Sequence, residues 1–149
     1  MCNDSLSDET LVTEVKYLLD GSIHHITEKV ILAAAEKSEA YITLPSAAIP
    51  ENAVLIVDVT GKNIRDRAFY KNGTLEIIPC SEFLVKKHTN DSITVTAEKY
   101  LHAVELEGEY VFSDNYFSLL PGESRTITMR PSYKTESDEL TIKGYTLKL

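Results

Sequence analysis

Two glutamates, Glu105 and Glu107, have the residue type and the spacing that glycoside hydrolysis can use. In that reaction one carboxyl group acts as an acid and the other as a nucleophile or base, and their separation sets the stereochemical outcome. Two residues apart on one strand, these side chains would share a face at a distance of about 7 Å. A pair of this kind on an antiparallel sheet is more typical of a solvated surface, so we assign no catalytic residue.

The histidines and cysteines are the other residues that could ligate a metal or carry a nucleophile: His24, His25, His88, His102, Cys2 and Cys80. His24 and His25 are adjacent on a predicted strand, so their rings project to opposite faces and cannot share one metal. His88 and His102 lie in separate segments without a further ligand at suitable spacing, and we interpret them as surface residues. The cysteines are far apart and form no CxxC motif, which predicts two free thiols.

Five aromatic residues could form a platform on which sugar rings stack: Tyr100, Tyr110, Tyr116, Phe117 and Tyr133. A platform needs several such rings on one accessible face. The sequence has no Trp and only 8% aromatic residues, and most of them lie in alternating strand patterns. Packing in the core is therefore the favoured interpretation.

Residues 112–123, FSDNYFSLLPGE, show how such packing would arise. A strand ends at Phe112, and residues 113–115 bend the backbone through Asx-type hydrogen bonds. Tyr116 and Phe117 then turn inward together with Leu119 and Leu120. Residues 120–123, Leu-Pro-Gly-Glu, are typical of a type II turn. This interpretation predicts that Tyr116→Ala unfolds the C-terminal half of the chain.

Several function classes lack support in the sequence. GxSxG, HExxH, Walker and GxGxxG motifs are absent, and we predict no catalytic, substrate-binding, cofactor-binding or metal-binding residue and no cofactor. A net charge of −8 without a Lys/Arg-rich stripe disfavours nucleic acid as a partner. The apolar runs at 30–35 and 54–59 are shorter than the roughly 20 residues that a membrane helix needs, so we predict no membrane span.

The N-terminal residues lack the basic and apolar regions of a secretory signal. The expected location is therefore the cytoplasm, provided that a longer parent protein also lacks a signal peptide.

Apolar residues recur with period two, and β-branched and aromatic residues fill the periodic segments, which predicts an all-β fold. Asp20-Gly21 is typical of a hairpin turn, with Leu11, Thr13 and Val15 on one face of the first strand and Lys16 on the other. Further hairpins are predicted around residues 60–63 and at Asn90-Asp91. Gly108 interrupts a strand between residues 103 and 112.

Residues 31–39, ILAAAEKSE, admit a second interpretation, because Ala, Glu and Lys are strong helix formers. Either a short helix forms there, or a strand ends at this bend and residues 40–45 form another strand. The pattern breaks again at residues 71–73. We predict two small sandwiches in tandem, residues 1–71 and 72–149.

The run VFSDNYFSLLPGESRTITM, residues 111–129, resembles the C-terminal immunoglobulin-like domain of family-two glycoside hydrolases, in the β-mannosidase branch. The resemblance covers residues 73–149, with residues 140–149 as the final strand. The preceding half is similar in its hairpin order to the immunoglobulin-like domain that comes before it in those enzymes. Cys2-Asn3-Asp4 is similar to the end of an early strand of that domain, so we expect the first sandwich to be truncated at its N-terminus.

This resemblance implies a parent enzyme that removes β-linked mannose with retention, through two Glu residues of a (β/α)8 barrel. A barrel needs about 250 residues, and no βα repeat is present in the 149 residues of this chain. The implied role is a non-catalytic accessory region whose partners are the catalytic barrel and the neighbouring domains of the parent.

Two further expectations come from other classes of function. The alternative to an accessory region is a carbohydrate-binding β-sandwich module. If the first sandwich lacks a strand, the adjacent strand presents unpaired backbone groups, and we expect weak self-association.

Overall fold

The computed structural model describes residues 2–3, 8–34, 37–38, 42–45, 48–62, 64–71, 76–89, 91–132 and 139–148. These residues form fourteen strands, and every strand pair is antiparallel. The predicted all-β class is confirmed. None of the described residues belongs to a helix with the length and apolar character of a membrane span. The chain divides into two compact units, Met1–Thr74 and Leu75–Lys148.

Unit 1 contains six strands: β1 (Cys2–Asn3), β2 (Glu9–Leu19), β3 (Ser22–Ala33), β4 (Lys37–Ser38), β5 (Val54–Thr60) and β6 (Arg65–Lys71). Four of them form a sheet in the order β3-β2-β5-β6, and β1 pairs with β4. The predicted hairpin between β2 and β3 is confirmed, since Asp20 and Gly21 both have positive φ, as a type I′ turn requires. The hairpin of β5 and β6 is confirmed as well.

The segment after β3 differs from both predicted alternatives. Residues 31–33 complete β3 and residues 37–38 form β4, so the described part of 31–39 contains no helix. The strand predicted at residues 40–45 is wrong, because residues 42–45 are not in a strand. The Ala48 N–H donates instead to the Pro45 carbonyl at 2.9 Å.

Both faces of β2 carry buried side chains. Leu11, Thr13 and Val15 are buried on one face, as predicted. Leu18 is buried on the opposite face, and so is Lys16, which the sequence pattern would leave in solvent. The register explains the difference, because Lys16 lies opposite the fully buried Ile56 of β5.

Unit 2 contains eight strands: β7 (Ile77–Cys80), β8 (Phe83–Thr89), β9 (Ser92–Ala97), β10 (Leu101–Gly108), β11 (Tyr110–Phe112), β12 (Phe117–Leu119), β13 (Ser124–Pro131) and β14 (Leu140–Leu147). They form two four-stranded sheets, β12-β10-β14-β7 and β11-β13-β9-β8. The predicted hairpin of β8 and β9 is confirmed.

The core of unit 2 is built from alternating side chains of both sheets. Ile93, Val95 and Ala97 of β9 are buried and join one cluster with Val104 and Leu106 of β10. Burying one such aliphatic side chain contributes about 1.5–3 kcal/mol. Two antiparallel sheets that share a core in this way form a β-sandwich.

Gly108 lies where the chain passes from one sheet to the other. The sequence predicts an interruption here, and the structure places β10 and β11 on either side of it in different sheets. A Cβ atom at this position would lie 2.7 Å from the carbonyl oxygen of Glu139. The close approach of the two backbones therefore requires glycine.

Candidate functional site

The outer face of β10 carries the two glutamates that the sequence singles out. Val104 and Leu106 are buried in the core, so Glu105 and Glu107 point to the opposite side of the sheet. In the register of β10 with β14, Glu105 lies opposite Lys143. Tyr145 lies one position further along the same face of β14, opposite Ala103.

On the other side of β10, a side chain extends the ladder between β10 and β12. Val104 pairs with Phe117, so Asn115 lies at the position that would face Leu106 next. The side-chain oxygen of Asn115 accepts the Leu106 N–H at 2.8 Å, and its amide donates to the Leu106 carbonyl at 2.9 Å. The Asn115 side chain thus satisfies both backbone groups in place of a strand partner.

The predicted corner at residues 112–123 is confirmed in most of its parts. β11 ends at Phe112, as predicted, and the Asp114 carboxylate accepts the N–H of the next residue, Asn115, at 2.8 Å, one residue nearer than the Asx turn that the sequence predicts. Phe117, Leu119 and Leu120 are buried. The type II turn is present too, with Gly122 at a φ of 82° and the Glu123 N–H donating to the Leu120 carbonyl at 2.9 Å.

Tyr116 is the exception, and its predicted inward orientation is wrong. The residue has a φ of 58° and its side chain is 66% exposed. Because Asn115 is held against Leu106, Tyr116 reaches β12 through a left-handed conformation, which few tyrosines adopt. Its side chain therefore lies on the outer face, beside Glu105.

Tyr116 and Tyr145 both donate hydrogen bonds to Glu105. The Tyr116 hydroxyl lies 3.1 Å from Oε1 and the Tyr145 hydroxyl lies 2.9 Å from Oε2. Next to them, Lys143 Nζ contacts Glu107 Oε1 at 2.5 Å. We call these five residues, Tyr116, Tyr145, Glu105, Glu107 and Lys143, the tyrosine–glutamate surface.

The hydrogen bonds of this surface determine its charge state. The hydroxyl of Tyr145, and then that of Tyr116, lowers the pKa of Glu105 below its ordinary value. The pKa of each tyrosine is raised by the same hydrogen bond, and the hydrogen bond to Glu107 raises the pKa of Lys143. These shifts favour the ionised form of Glu105, the neutral forms of the two phenols and the charged form of Lys143.

This arrangement is poorly suited to acid–base chemistry. Glycoside hydrolysis needs one carboxyl group that stays protonated until it donates to the leaving oxygen, and this requires a raised pKa. Glu105 has a lowered pKa, and Glu107 is held by Lys143. The surface can instead offer hydrogen-bond acceptors, hydroxyl groups and one exposed aromatic ring.

The histidines are held by neighbouring side chains. His24 stacks on Tyr17 with ring centroids 4.8 Å apart, and His25 Nδ1 contacts Glu14 Oε1 at 2.7 Å, so the two rings point to opposite faces as predicted. His88 is exposed, as predicted, and contacts Thr94. His102 is half-buried rather than a surface residue, and burial lowers its pKa.

The described part of the chain contains no cluster of side chains that could hold a metal ion. No three His, Cys, Asp or Glu side chains converge there as potential ligands. Cys80 is a free thiol, as predicted. The Cys2 side chain lies outside the described residues.

The remaining aromatic candidates take part in packing rather than in a platform. Tyr100 and Phe117 are buried, and Tyr110 packs against the core of unit 2. Tyr133 lies outside the described residues. Of the candidates that the structure describes, Tyr116 is the one with an exposed ring.

A row of charged side chains crosses unit 1, and sequence reasoning missed it. Lys16 of β2 contacts Glu14 at 2.8 Å and Asp58 of β5 at 2.7 Å, and Asp58 also pairs with Arg67 of β6. We call these four residues the charge ladder. Glu14 and Lys16 at alternate positions of β2, with Asp58 in an otherwise uncharged β5, are a signal that could have revealed it, but only with the register known.

Within the charge ladder, burial shifts the pKa values of Lys16 and Asp58 toward their neutral forms, but hydrogen bonds shift them further toward the charged forms. For Lys16, the hydrogen bonds to Asp58 and Glu14 raise the pKa above 10.5 despite desolvation. For Asp58, those from Arg67 and Lys16 lower the pKa below 3.8 despite desolvation. Opposite charges on neighbouring strands explain how a lysine remains charged on a covered face.

Comparison with known proteins identifies the sandwich of unit 2. Residues 81–147 match the family model of the mannosidase-type Ig-fold domain. A search of curated proteins gave no match. The matched range begins just before β8 and ends with β14, so it includes the tyrosine–glutamate surface and the corner at residues 112–123. The predicted immunoglobulin-like fold of the second sandwich and its resemblance to mannosidase-type domains are thereby confirmed.

Proposed function

Because residues 81–147 form an Ig-fold domain of the mannosidase type, we propose that the chain is a non-catalytic accessory region of a β-mannosidase-like exoglycosidase. In this role it supports a catalytic (β/α)8 barrel through contacts between domains or subunits. The family match over unit 2 is the observation that carries the proposal. The parent enzyme would act on β-mannosides with retention.

The architecture supports an accessory region that is separate from the catalytic barrel. A (β/α)8 barrel alternates strands and helices over about 250 residues, whereas the described part of this 149-residue chain consists of antiparallel strands and their connections. An Ig-fold domain is by itself non-catalytic. The two catalytic carboxyl groups of the parent would therefore lie in the barrel, not at Glu105 and Glu107.

The partners and location follow from the same proposal. The catalytic barrel and the domains next to it would be the natural partners of the two units. The chain would be found in the cytoplasm if the parent carries no signal peptide. The net charge of −8 disfavours nucleic acid as an additional partner.

An activity assay on the purified chain tests the non-catalytic part of the proposal. We expect no release of nitrophenol from p-nitrophenyl β-mannoside above the rate of a buffer blank. The Glu105→Gln variant is the control, because it should give the same baseline. Hydrolysis by the wild-type chain that survives repurification and is lost in Glu105→Gln would contradict the proposal.

A further inference from the structure

We propose that the tyrosine–glutamate surface binds a neutral oligosaccharide. Tyr116 stacks on the apolar face of a pyranose ring, and Glu105 and Glu107 accept hydrogen bonds from its hydroxyl groups. The surface combines the two features that sugar recognition requires, an exposed aromatic ring and fixed polar groups beside it.

Tyr116 is held in an exposed position. Its backbone adopts a φ of 58°, and its hydroxyl is hydrogen-bonded to Glu105, while 66% of the side chain remains accessible. A left-handed conformation is unfavourable for tyrosine and persists only where the surrounding structure enforces it. The ring is thus oriented before a ligand arrives, which reduces the entropy that binding must cost.

The two carboxylates next to the ring can accept further hydrogen bonds. Each carboxylate oxygen can accept about two hydrogen bonds, and each oxygen of Glu105 accepts one from a tyrosine. One oxygen of Glu107 contacts Lys143. The remaining lone pairs of these two carboxylates can accept from the hydroxyl groups of a sugar.

Charge selects among possible sugars. Two carboxylates and one ammonium group leave the surface with one excess negative charge, and the whole chain carries −8. An acidic sugar such as a uronate would be repelled, whereas a neutral sugar would not. The expected ligand class is therefore neutral oligosaccharides.

This inference does not depend on the parent enzyme. An accessory region can support a barrel without binding sugars, and a sandwich can bind sugars without belonging to a mannosidase. A failure of one proposal leaves the other standing, because the assay above measures hydrolysis and the experiment below measures binding.

A titration followed by amide NMR tests the inference, with mannotetraose as the probe and tetragalacturonate as the charged comparison. We expect mannotetraose to shift resonances of β10 and β14 around Glu105 and Lys143, together with that of Tyr116. Tetragalacturonate should leave them in place. Tyr116→Ala should weaken the binding of mannotetraose about tenfold, as expected for the loss of a stacked ring.

Three matched variants separate binding from stability. Tyr70 of β6 is another exposed tyrosine, 57% accessible, and Tyr70→Ala should leave the affinity unchanged. Tyr116→Phe keeps the ring and should retain most of the affinity, while Glu105→Gln should lose several-fold. Each variant is checked for the wild-type pattern of core resonances before titration.

The inference would be overturned by the absence of a localised patch in the wild-type chain, or by a patch elsewhere on the molecule. It would also be overturned if Tyr116→Ala bound mannotetraose as tightly as the wild type.

Discussion

Asn115 and Tyr116 are neighbours in the chain, but their side chains have different roles beside β10. Asn115 closes the backbone of Leu106 with two hydrogen bonds, and Tyr116 reaches over the outer face to Glu105. Phe117, the next residue, is buried in the core. Of these three consecutive residues, the first bonds the backbone of β10, the second lies on the outer face and the third packs in the core. Substitutions at adjacent positions should therefore have very different effects on stability.

Tyr116→Ala is expected to leave the free energy of unfolding close to that of the wild type. The ring is mostly exposed, and exposed substitutions usually change stability little. Phe117→Ala is the matched comparison and should cost about 3–5 kcal/mol, because it truncates a buried aromatic side chain. Urea unfolding of both variants measures the difference. A large loss of stability in Tyr116→Ala would contradict this expectation and indicate that the Tyr116 side chain packs in the core.

The period-two pattern was sufficient to predict burial of Phe117 and Leu119, since apolar residues of a half-buried strand face the core. It could not place Tyr116, for two physical reasons. Tyrosine gives no signal for positive φ, unlike glycine or asparagine. Its partner Glu105 lies eleven residues earlier, and only the register of β10 and β12 brings the two side chains together.

At the scale of elements, the charge ladder links β2, β5 and β6 through side chains in addition to their backbone pairing. Asp58 lies at its centre, between Lys16 and Arg67. Because its pKa is lower in the folded chain than the ordinary 3.8, ionised Asp58 stabilises the folded state. This contribution is fully present above the unfolded pKa and is lost as the pH falls through the folded pKa.

We therefore expect unit 1 to lose stability as the pH is lowered below about 3.8. Asp58→Asn should be less stable at neutral pH, because Lys16 loses a partner, and should show a shallower decline in acid. The measurement is urea unfolding at several pH values, followed through amide resonances of Val15 and Ile56. Glu51→Gln, at an exposed position before β5, is the control and should decline like the wild type. An unchanged acid slope in Asp58→Asn would show that the ladder does not couple to folding.

Gly108→Ala should destabilise unit 2 by about 1–3 kcal/mol, the usual cost of forcing an extra methyl group into a packed site. The new Cβ would lie 2.7 Å from the Glu139 carbonyl oxygen, so the passage between the two sheets would have to shift. Gly122→Ala is the comparison, because its Cβ would meet open space and only the positive φ would be unfavourable. Thermal unfolding of both variants tests this. Equal stability of Gly108→Ala and the wild type would mean that the backbones separate without cost.

Strand β3 is expected to support weak self-association of the chain. In the described part of unit 1 it pairs with β2 alone, and Val30 and Leu32 near its end are 65% and 63% exposed. An edge strand with exposed apolar residues can pair with a second copy. Sedimentation velocity at increasing concentration should show association that Val30→Lys reduces. Leu84→Lys, on an edge that already carries Lys86 and Lys87, should have no effect, and a strictly monomeric wild-type chain would contradict the expectation.

Local signals predicted the hairpins but not the assembly of the sheets. Asp20-Gly21 and Asn90-Asp91 mark turns between adjacent strands, because their backbones tolerate the required conformations. The pairing of β7 with β14 joins opposite ends of unit 2, and no local pattern specifies it. The interruption at Gly108 was visible in the sequence, whereas the change of sheet was not.

At the scale of the whole molecule, composition, periodicity and one long motif each predicted a different property. Composition indicated an acidic chain, and periodicity indicated an all-β fold. The run from Val111 to Met129 carried the likeness to mannosidase-type domains, and the family match over residues 81–147 confirms that likeness. The tyrosine–glutamate surface was not predicted, because its residues are brought together from β10, β14 and the residue before β12.

The central claim of the proposed function is that this chain occurs together with a catalytic barrel. If the chain is an accessory region of a β-mannosidase-like enzyme, its natural form is associated with a catalytic barrel, either in one polypeptide or in one complex. The purified chain lacks that barrel and should be inactive alone.

The most direct test is to precipitate the natural protein from its source cells with an antibody against this chain and to measure hydrolysis of p-nitrophenyl β-mannoside in the precipitate. We predict activity that exceeds that of a precipitate made with a non-immune antibody, and that is removed when purified chain is added to compete for the antibody. A precipitate that contains the chain but has no β-mannosidase activity would contradict the account.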